Sequence, residues 1–492
     1  MKHPAAFRPS RVGILSVLAL LWTLGACAIA EATPGEEAYD LVIANGRVID
    51  PATDTDGIRH VGIRGTEVAT VSETPLEGER TIDAEGLVVA PGFVDILASY
   101  PNTDEAAIFK VFDGVTTLIG MHGGPVESAE WYAEREAAGA YHHYGITVGH
   151  GSLRQALGID DRYEAATDAQ ADEMAELARG SLQEGAIGIG FGVAYVPGAS
   201  RVEVLRLFEV AAEEDVPAHL HIRAFGPVPP ENNGLAALQE VIANAAATGA
   251  SAQVVHINSM IAGHLEIALD MISGARERGV DVLADVYPYT AAATSLGSTT
   301  FDPGWQERFG GISYEDLQLV RTMERLDAEG FRQGREEGES AIIHYMPPEE
   351  IEMALAHPHV IIASDGTIRE GRGHPRGAGT FARVLGYYVR ERGALTLPEA
   401  IYKTTLKPAQ RLEGAAPDLA RKGRLTPGAD ADIVIFDPET VIDRADFTDP
   451  AQRSEGILWT IVDGQVVVDD GELQEGVRPG RAIRGKGALA ES

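Results

Sequence analysis

Residues 185–222 read GAIGIGFGVAYVPGASRVEVLRLFEVAAEEDVPAHLHI. A short apolar run (185–192) leads into a stretch with apolar residues at helical spacing (201–215), and a second apolar run (216–222) follows. Short apolar runs alternating with amphipathic helices are the mark of βα units, which assemble into a parallel sheet. The same alternation extends outward: FVDIL (93–97), GVTTLIG (114–120) and YGITVGHG (144–151) precede this stretch, and SAQVVHI (251–257), DVLADVYPY (281–289) and HVIIASDG (359–366) follow it. Together they make eight runs, the number that closes a TIM-like (β/α)8 barrel, and their polar residues sit at the C-terminal ends, where such a barrel keeps its active site. A doubly wound open sheet is the alternative, but no Gly-rich dinucleotide fingerprint follows any run. The α/β barrel is therefore expected over 93–412, with 300–358 free of clear strands and read as a helical insertion or lid.

Both flanks of the barrel look different. DLVIANGRVID (40–50), with its Asn45-Gly46 turn signal, predicts a hairpin; VGIRGTEVATV (61–71) repeats the style around Gly65, and TIDAEGLVVAPG (81–92) completes an all-β segment. ADIVIFD (431–437) and TIVDGQVVVDDGEL (460–473) share that character. A small β-sandwich built from both ends, 39–92 plus 413–487, is the expectation.

The 492 residues suffice for one large and one smaller domain. A formal charge of −34 excludes nucleic acid as a partner, since phosphate binding needs basic patches; the acidity serves solubility. Lys2, Arg8 and Arg11 precede an apolar stretch, Val12 to Trp22, too short to span a bilayer comfortably. Leu24-Gly25-Ala26-Cys27 then resembles the lipobox of bacterial lipoproteins, in which the cysteine is lipid-modified. Residues 1–27 are thus expected to be a lipoprotein signal peptide and 28–38 a polar tether, placing an exported chain at the periplasmic face of a bacterial membrane, the outer one given the absence of Asp after the cysteine. Cys27 is the only cysteine, so no intrachain disulfide forms.

Three histidines end or nearly end strand runs: His122 in GMHGG, His221 in HLHIR and His256 in VVHIN; Asp365 sits likewise in ASDG. Three neutral imidazoles that leave a coordination position open make a catalytic zinc arrangement. The metal brings the pKa of its water to about 7, and a nearby carboxylate such as Asp365 moves the proton to a leaving nitrogen. Other polar residues carry less: His150 reads equally as a pocket or a turn residue, and His219 as buried scaffold on the face opposite His221. His142, His143, His357 and His359 read as surface residues, as does Asp113 before GVTT, and of the two tyrosines in YPY only Tyr289 is taken for the pocket.

PGFVD (91–95), GVTT (114–117), VGHGSLR (148–154), YVPG (195–198), HIR (221–223), DVYPYTAAATS (285–295), SDG (364–366), HPRGAGTFARVLGYYVRE (374–391) and GADADIVIFDPETV (428–441) occur in the order seen in the amidohydrolase superfamily. Over 40–487 the chain resembles its D-aminoacylase or N-acyl-D-amino-acid deacylase members. The resemblance implies a TIM-like barrel with a split β-sandwich and hydrolysis of the non-peptide amide bond of a small molecule, an N-acyl-D-amino acid, by a metal-activated hydroxide. It also implies substrate contacts from Tyr195, Tyr289, Ser295 and Arg376, the last a planar guanidinium suited to a carboxylate.

The chain departs from the family at three places. A His-x-His pair on the first strand is replaced by Leu97, Ala98 and Ser99; a bridging cysteine is replaced by His122; and a substrate-facing lysine is replaced by Asn258. An imidazole is a terminal ligand where a thiolate can bridge. The expectation is one divalent ion per chain, zinc, on His122, His221 and His256, with Asp365 as base and as a candidate additional ligand. Two alternatives stay open: a non-catalytic cell-surface binding lipoprotein with a degenerate barrel site, and an esterase, lactonase or cyclic amidase on the same scaffold. The oligomeric state, a homo-oligomer included, is open as well.

Overall fold

A computed structural model describes residues 38–98, 103–227 and 233–489. The expected signal peptide, Cys27 and nearly all of the tether lie outside the described residues, as does Ser99. Residues from Tyr39 onward form one compact unit.

The eight runs form parallel strands. Phe93–Asp95, Val115–Gly120 and His143–Ile146 lie side by side in one sheet. In the other, Val148–Gly149 (the same run resumed after Thr147) is followed by Ile189–Gly192, Ala218–His221, Ala252–Val254, Val282–Val286 and Val360–Ile362. The ring is completed where the eighth run meets the first: Ser364 N donates to Asp95 Oδ1 at 3.0 Å and Asp365 N to Leu97 O at 2.5 Å. The strands read as unbroken apolar runs because helices cover them outside and side chains fill the inside. Those helices start where the sequence supplies caps: Thr167 with Gln170 forms a capping box for Asp168–Gln183, and the Ser200 side chain accepts from Glu203 N ahead of Arg201–Glu213.

The two chain ends meet in a second β layer. Among the described residues, Ile433–Phe436 runs antiparallel to Val88–Pro91, joining the C-terminal strands to Tyr39–Asp50, Thr55–Arg64 and Glu67–Ser72 in one nine-stranded sheet. Ile43, Val61, Ile63, Val89, Ile433 and Ile435 fill the small core between its faces.

Four expectations are corrected here. Residues 40–50 are not a hairpin: Tyr39–Asp50 is one strand, and Asn45, at φ 61°, absorbs a bulge between Ile43 and Gly46. The insertion is not purely helical: Leu317–Leu319 and Ser340–His344 pair antiparallel, and Ala291–Ser295 adds a third strand. His142 and His143 are buried rather than on the surface; His143 Nε2 lies 3.0 Å from Asp432 Oδ1, tying the barrel to the C-terminal β segment. Asp113 is buried too, accepting from Phe381 N at 2.8 Å, Ala382 N at 2.9 Å and Ser454 Oγ at 2.9 Å. Burial pushes its carboxyl up to about 7, against the pull of those donors, and it braces the helix Arg376–Arg383.

Candidate metal centre and active site

Each candidate ligand leaves the end of a parallel strand. His122 stands in the loop after Val115–Gly120, held low over the barrel by close backbone approaches. A Cβ on Gly124 would meet Thr147 O at 2.2 Å and one on Gly190 would meet Gly123 N at 2.6 Å, so both positions require glycine. His221 is the last residue of Ala218–His221. His256 follows Ala252–Val254 by two residues and turns into the left-handed region, φ 35° and ψ 56°. The three converge, with one ligand nitrogen from each within 4.8 Å of the others.

The donor set fits a divalent cation. Burial lowers the pKa of His122 and pushes those of His221 and His256 well below the ordinary imidazole range, so all three rings are neutral with lone pairs free. His122 Nε2 and His221 Nδ1 are buried with no hydrogen-bond partner, which a cation would satisfy. His256 Nδ1 lies 2.9 Å from Ser259 Oγ, leaving its Nε2 for a ligand. Three imidazoles suit zinc or another borderline divalent ion.

The histidines floor a cavity of ≈ 170 Å³ shared with Asp365 and Arg376. Asp365 Oδ2 meets Arg376 Nη2 at 2.8 Å, and the guanidinium lies 4.3 Å over the Tyr287 ring. Arg376 Nε and Nη1 are buried without hydrogen-bond partners, so the guanidinium keeps donors that Asp365 does not use. Tyr195 packs its ring 4.6 Å from that of His221, and its hydroxyl accepts from Thr294 Oγ1 at 3.3 Å. Phe225, Met260, Phe309 and Ile343 supply an apolar wall.

Sequence reading thus placed His122, His221, His256, Asp365, Arg376 and Tyr195 around this cavity, and three further residues need correction. Tyr289 does not line it: Tyr289 N donates to Tyr287 O at 2.9 Å in a tight turn around Pro288, and the ring swings away so that its hydroxyl reaches Asp443 Oδ2 at 3.2 Å. Tyr287, passed over in the sequence, takes the place instead, its hydroxyl pushed up to about 12 by burial and so kept as a proton donor. Ser295 turns its Oγ to Gly297 N at 3.1 Å, and Thr294 beside it faces the cavity. Asn258 is buried behind the cavity, donating to Tyr287 O at 3.2 Å.

His219 also differs from expectation. Residues two apart on a strand share a face, so His219 points inward beneath His221, buried and with both ring nitrogens unpartnered. His150 is no pocket residue; it is buried with Nε2 2.9 Å from Glu203 Oε1. Tyr345 was missed because it lies in the insertion, whose strand Ser340–His344 delivers it to the cavity; its hydroxyl donates to Ser259 O.

Comparison with known proteins agrees with the fold. Residues 129–468 match the family model described as "Amidohydrolase family". An N-acyl-D-glutamate deacylase of Alcaligenes xylosoxydans xylosoxydans is 31% identical over 92% of this chain and 98% of its own. The crystal structure of an N-acyl-D-glutamate deacylase from Bordetella bronchiseptica, in complex with zinc and a phosphonate mimic of the tetrahedral intermediate, superposes with a TM-score of 0.80 at 28% identity, covering 91% of this chain and 100% of that one. A D-aminoacylase structure, from work on one-metal activation and second-metal attenuation in a binuclear centre, gives a TM-score of 0.79 at 26% identity, again over 91% and 100%. The chain belongs to the amidohydrolase family and is a hydrolase of carbon–nitrogen bonds other than peptide bonds.

Proposed function

We propose that this protein removes the acyl group from N-acyl-D-amino acids, or from acidic amides of similar size, with one zinc ion per chain. One observation carries the reading: three neutral imidazoles, a carboxylate and a guanidinium with two unused donors share one small cavity. His122, His221 and His256 would hold the ion. When bound there, a divalent ion lowers the pKa of a water to about 7 and polarises an acyl carbonyl. Asp365, 14% exposed at its side chain, takes the proton of the attacking water and returns it to the leaving nitrogen. Arg376, on the lining, supplies the positive charge that draws a substrate carboxylate, and the wall of Phe225, Met260, Phe309 and Ile343 receives an apolar acyl or side-chain group.

A single ion is supported by the first strand. Leu97 stands where the family carries an imidazole, and it is 1% exposed and has no lone pair to offer. The one-metal activation described for a D-aminoacylase of similar structure supports the same reading. Purified protein is expected to hold about one zinc per chain and to hydrolyse N-acetyl-D-amino acids in preference to their L-forms. A zinc content near two overturns the single-ion reading, and a metal-free active enzyme overturns the metal. Activity on lactones or cyclic imides alone moves the assignment to another carbonyl.

The lipobox-like Leu24–Cys27 supports attachment of the mature chain to a bacterial membrane through a lipid on Cys27. A Cys27→Ser variant is expected in the soluble fraction of a fractionated bacterial host, unlabelled by radioactive palmitate. Equal membrane association of both forms overturns the anchor.

A further inference from the structure

His256 adopts a backbone conformation that side-chain-bearing residues rarely take. Up to Val255, whose N–H donates to Leu220 O at 3.0 Å, the chain stays in the barrel ladder; at His256 it leaves, and the N–H of that residue loses any strand partner. The partner found instead is a side chain. Asp285 Oδ1, from the neighbouring strand Val282–Val286, accepts the His256 N–H at 2.6 Å, and Oδ2 accepts Gln253 Nε2 at 3.0 Å. Asp285 is fully buried, and among the described residues no cationic side chain pairs with it. An acid buried without a cation is costly to a fold, so its presence asks for a reason other than general stability.

The same device recurs across the barrel. Asp365 is also left-handed, at φ 52°, and the preceding Ser364 is gripped by Asp95, whose Oδ1 accepts Ser364 N at 3.0 Å and Oδ2 Ser364 Oγ at 2.5 Å. There, however, Lys110 Nζ balances the acid at 3.1 Å. Asp285 holds its turn without such a counter-ion.

We propose that Asp285 is a positioning residue: its carboxylate holds the His256 N–H and so fixes the left-handed turn that aims this imidazole at His122 and His221. Ser259 Oγ, 2.9 Å from His256 Nδ1, then sets the ring rotation. The proposal rests on His256 being a metal ligand. It requires an acceptor at Asp285 Oδ1 and not a charge, and Gln253 Oε1, buried without a partner, lets an amide at 285 be accommodated by a flip of the Gln253 amide.

Four variants of the full chain test it: Asp285→Asn, Asp285→Leu, Asp285→Ala for use if the leucine form does not fold, and Glu203→Leu as a control that breaks a buried carboxylate cluster elsewhere. Zinc affinity is read by competition with a chromophoric chelator, beside the Tm of the metal-free form. Asp285→Leu is expected to bind zinc about 10–100-fold more weakly, with activity recovering at saturating zinc, while Asp285→Asn stays within about threefold of the parent. Glu203→Leu is expected to lower the metal-free Tm and leave zinc affinity unchanged. Parent-like affinity in Asp285→Leu or Asp285→Ala overturns the proposal, as does an equal loss in Glu203→Leu. A parent protein that takes up no zinc overturns the ligand assignment itself, which separates the two failures.

Discussion

Asp365→Asn is expected to lower kcat by about 10²–10⁴-fold, the usual worth of a positioned acid–base group, with zinc content unchanged. The substitution is gentle on the fold. Asparagine tolerates the left-handed φ of 52° at this position as well as aspartate does, and its carbonyl oxygen can still accept from Arg376 Nη2, 2.8 Å from Oδ2 in the parent. What it cannot do is take a proton from water at neutral pH. Because Arg376 keeps its place and its two unused donors, KM is expected to move by less than about fivefold, the pattern of an interaction needed in the transition state and not in the ground state. Steady-state kinetics on an N-acetyl-D-amino acid beside zinc analysis decide the matter. A kcat within tenfold of the parent removes Asp365 as the base, and a loss of zinc makes it a ligand.

The barrel was legible because parallel strands buried on both faces leave a strong trace: apolar runs with a chemical group at the C-terminal end of each. His221 and His256 could be found from that trace alone. Several of the details that failed depend on partners far away in the chain. Asp113 looks like any acid before a glycine turn until Phe381, Ala382 and Ser454 are folded over it. His143 likewise has nothing local to bury it; Asp432, 289 residues on, does so. Tyr287 and Tyr289 share a face by simple alternation, but the strand ends at Val286 and the turn at Pro288 breaks the period. The three-residue strand Leu317–Leu319 lies among Glu, Asp and Arg and carries too few apolar residues to be seen without its partner Ser340–His344.

His122→Ala is expected to act in opposite directions on metal binding and on acid stability, which makes it the sharper test of the centre. Structural zinc sites of four ligands are worth roughly 10–16 kcal/mol, so one of three imidazoles carries roughly 3–4 kcal/mol, a loss of about 10²–10³-fold in zinc affinity. Activity at nanomolar zinc should fall below detection. His122 already lines the cavity, so its truncation enlarges an existing space and does not open a new one. The acid behaviour follows from desolvation. Burial holds the His122 pKa below its ordinary value of about 6.5, so between that value and the lower folded one the unfolded chain binds more protons than the native chain. Stability therefore rises with pH through this window and is lost as pH falls. Alanine has no proton to gain, so the metal-free variant should lose less stability than the metal-free parent between about pH 6.5 and pH 5. Urea unfolding of both metal-free forms at the two pH values measures this. Unchanged zinc affinity would remove His122 from the centre, whereas an unchanged acid response with weakened zinc would mean that its imidazole is already solvated in the metal-free protein.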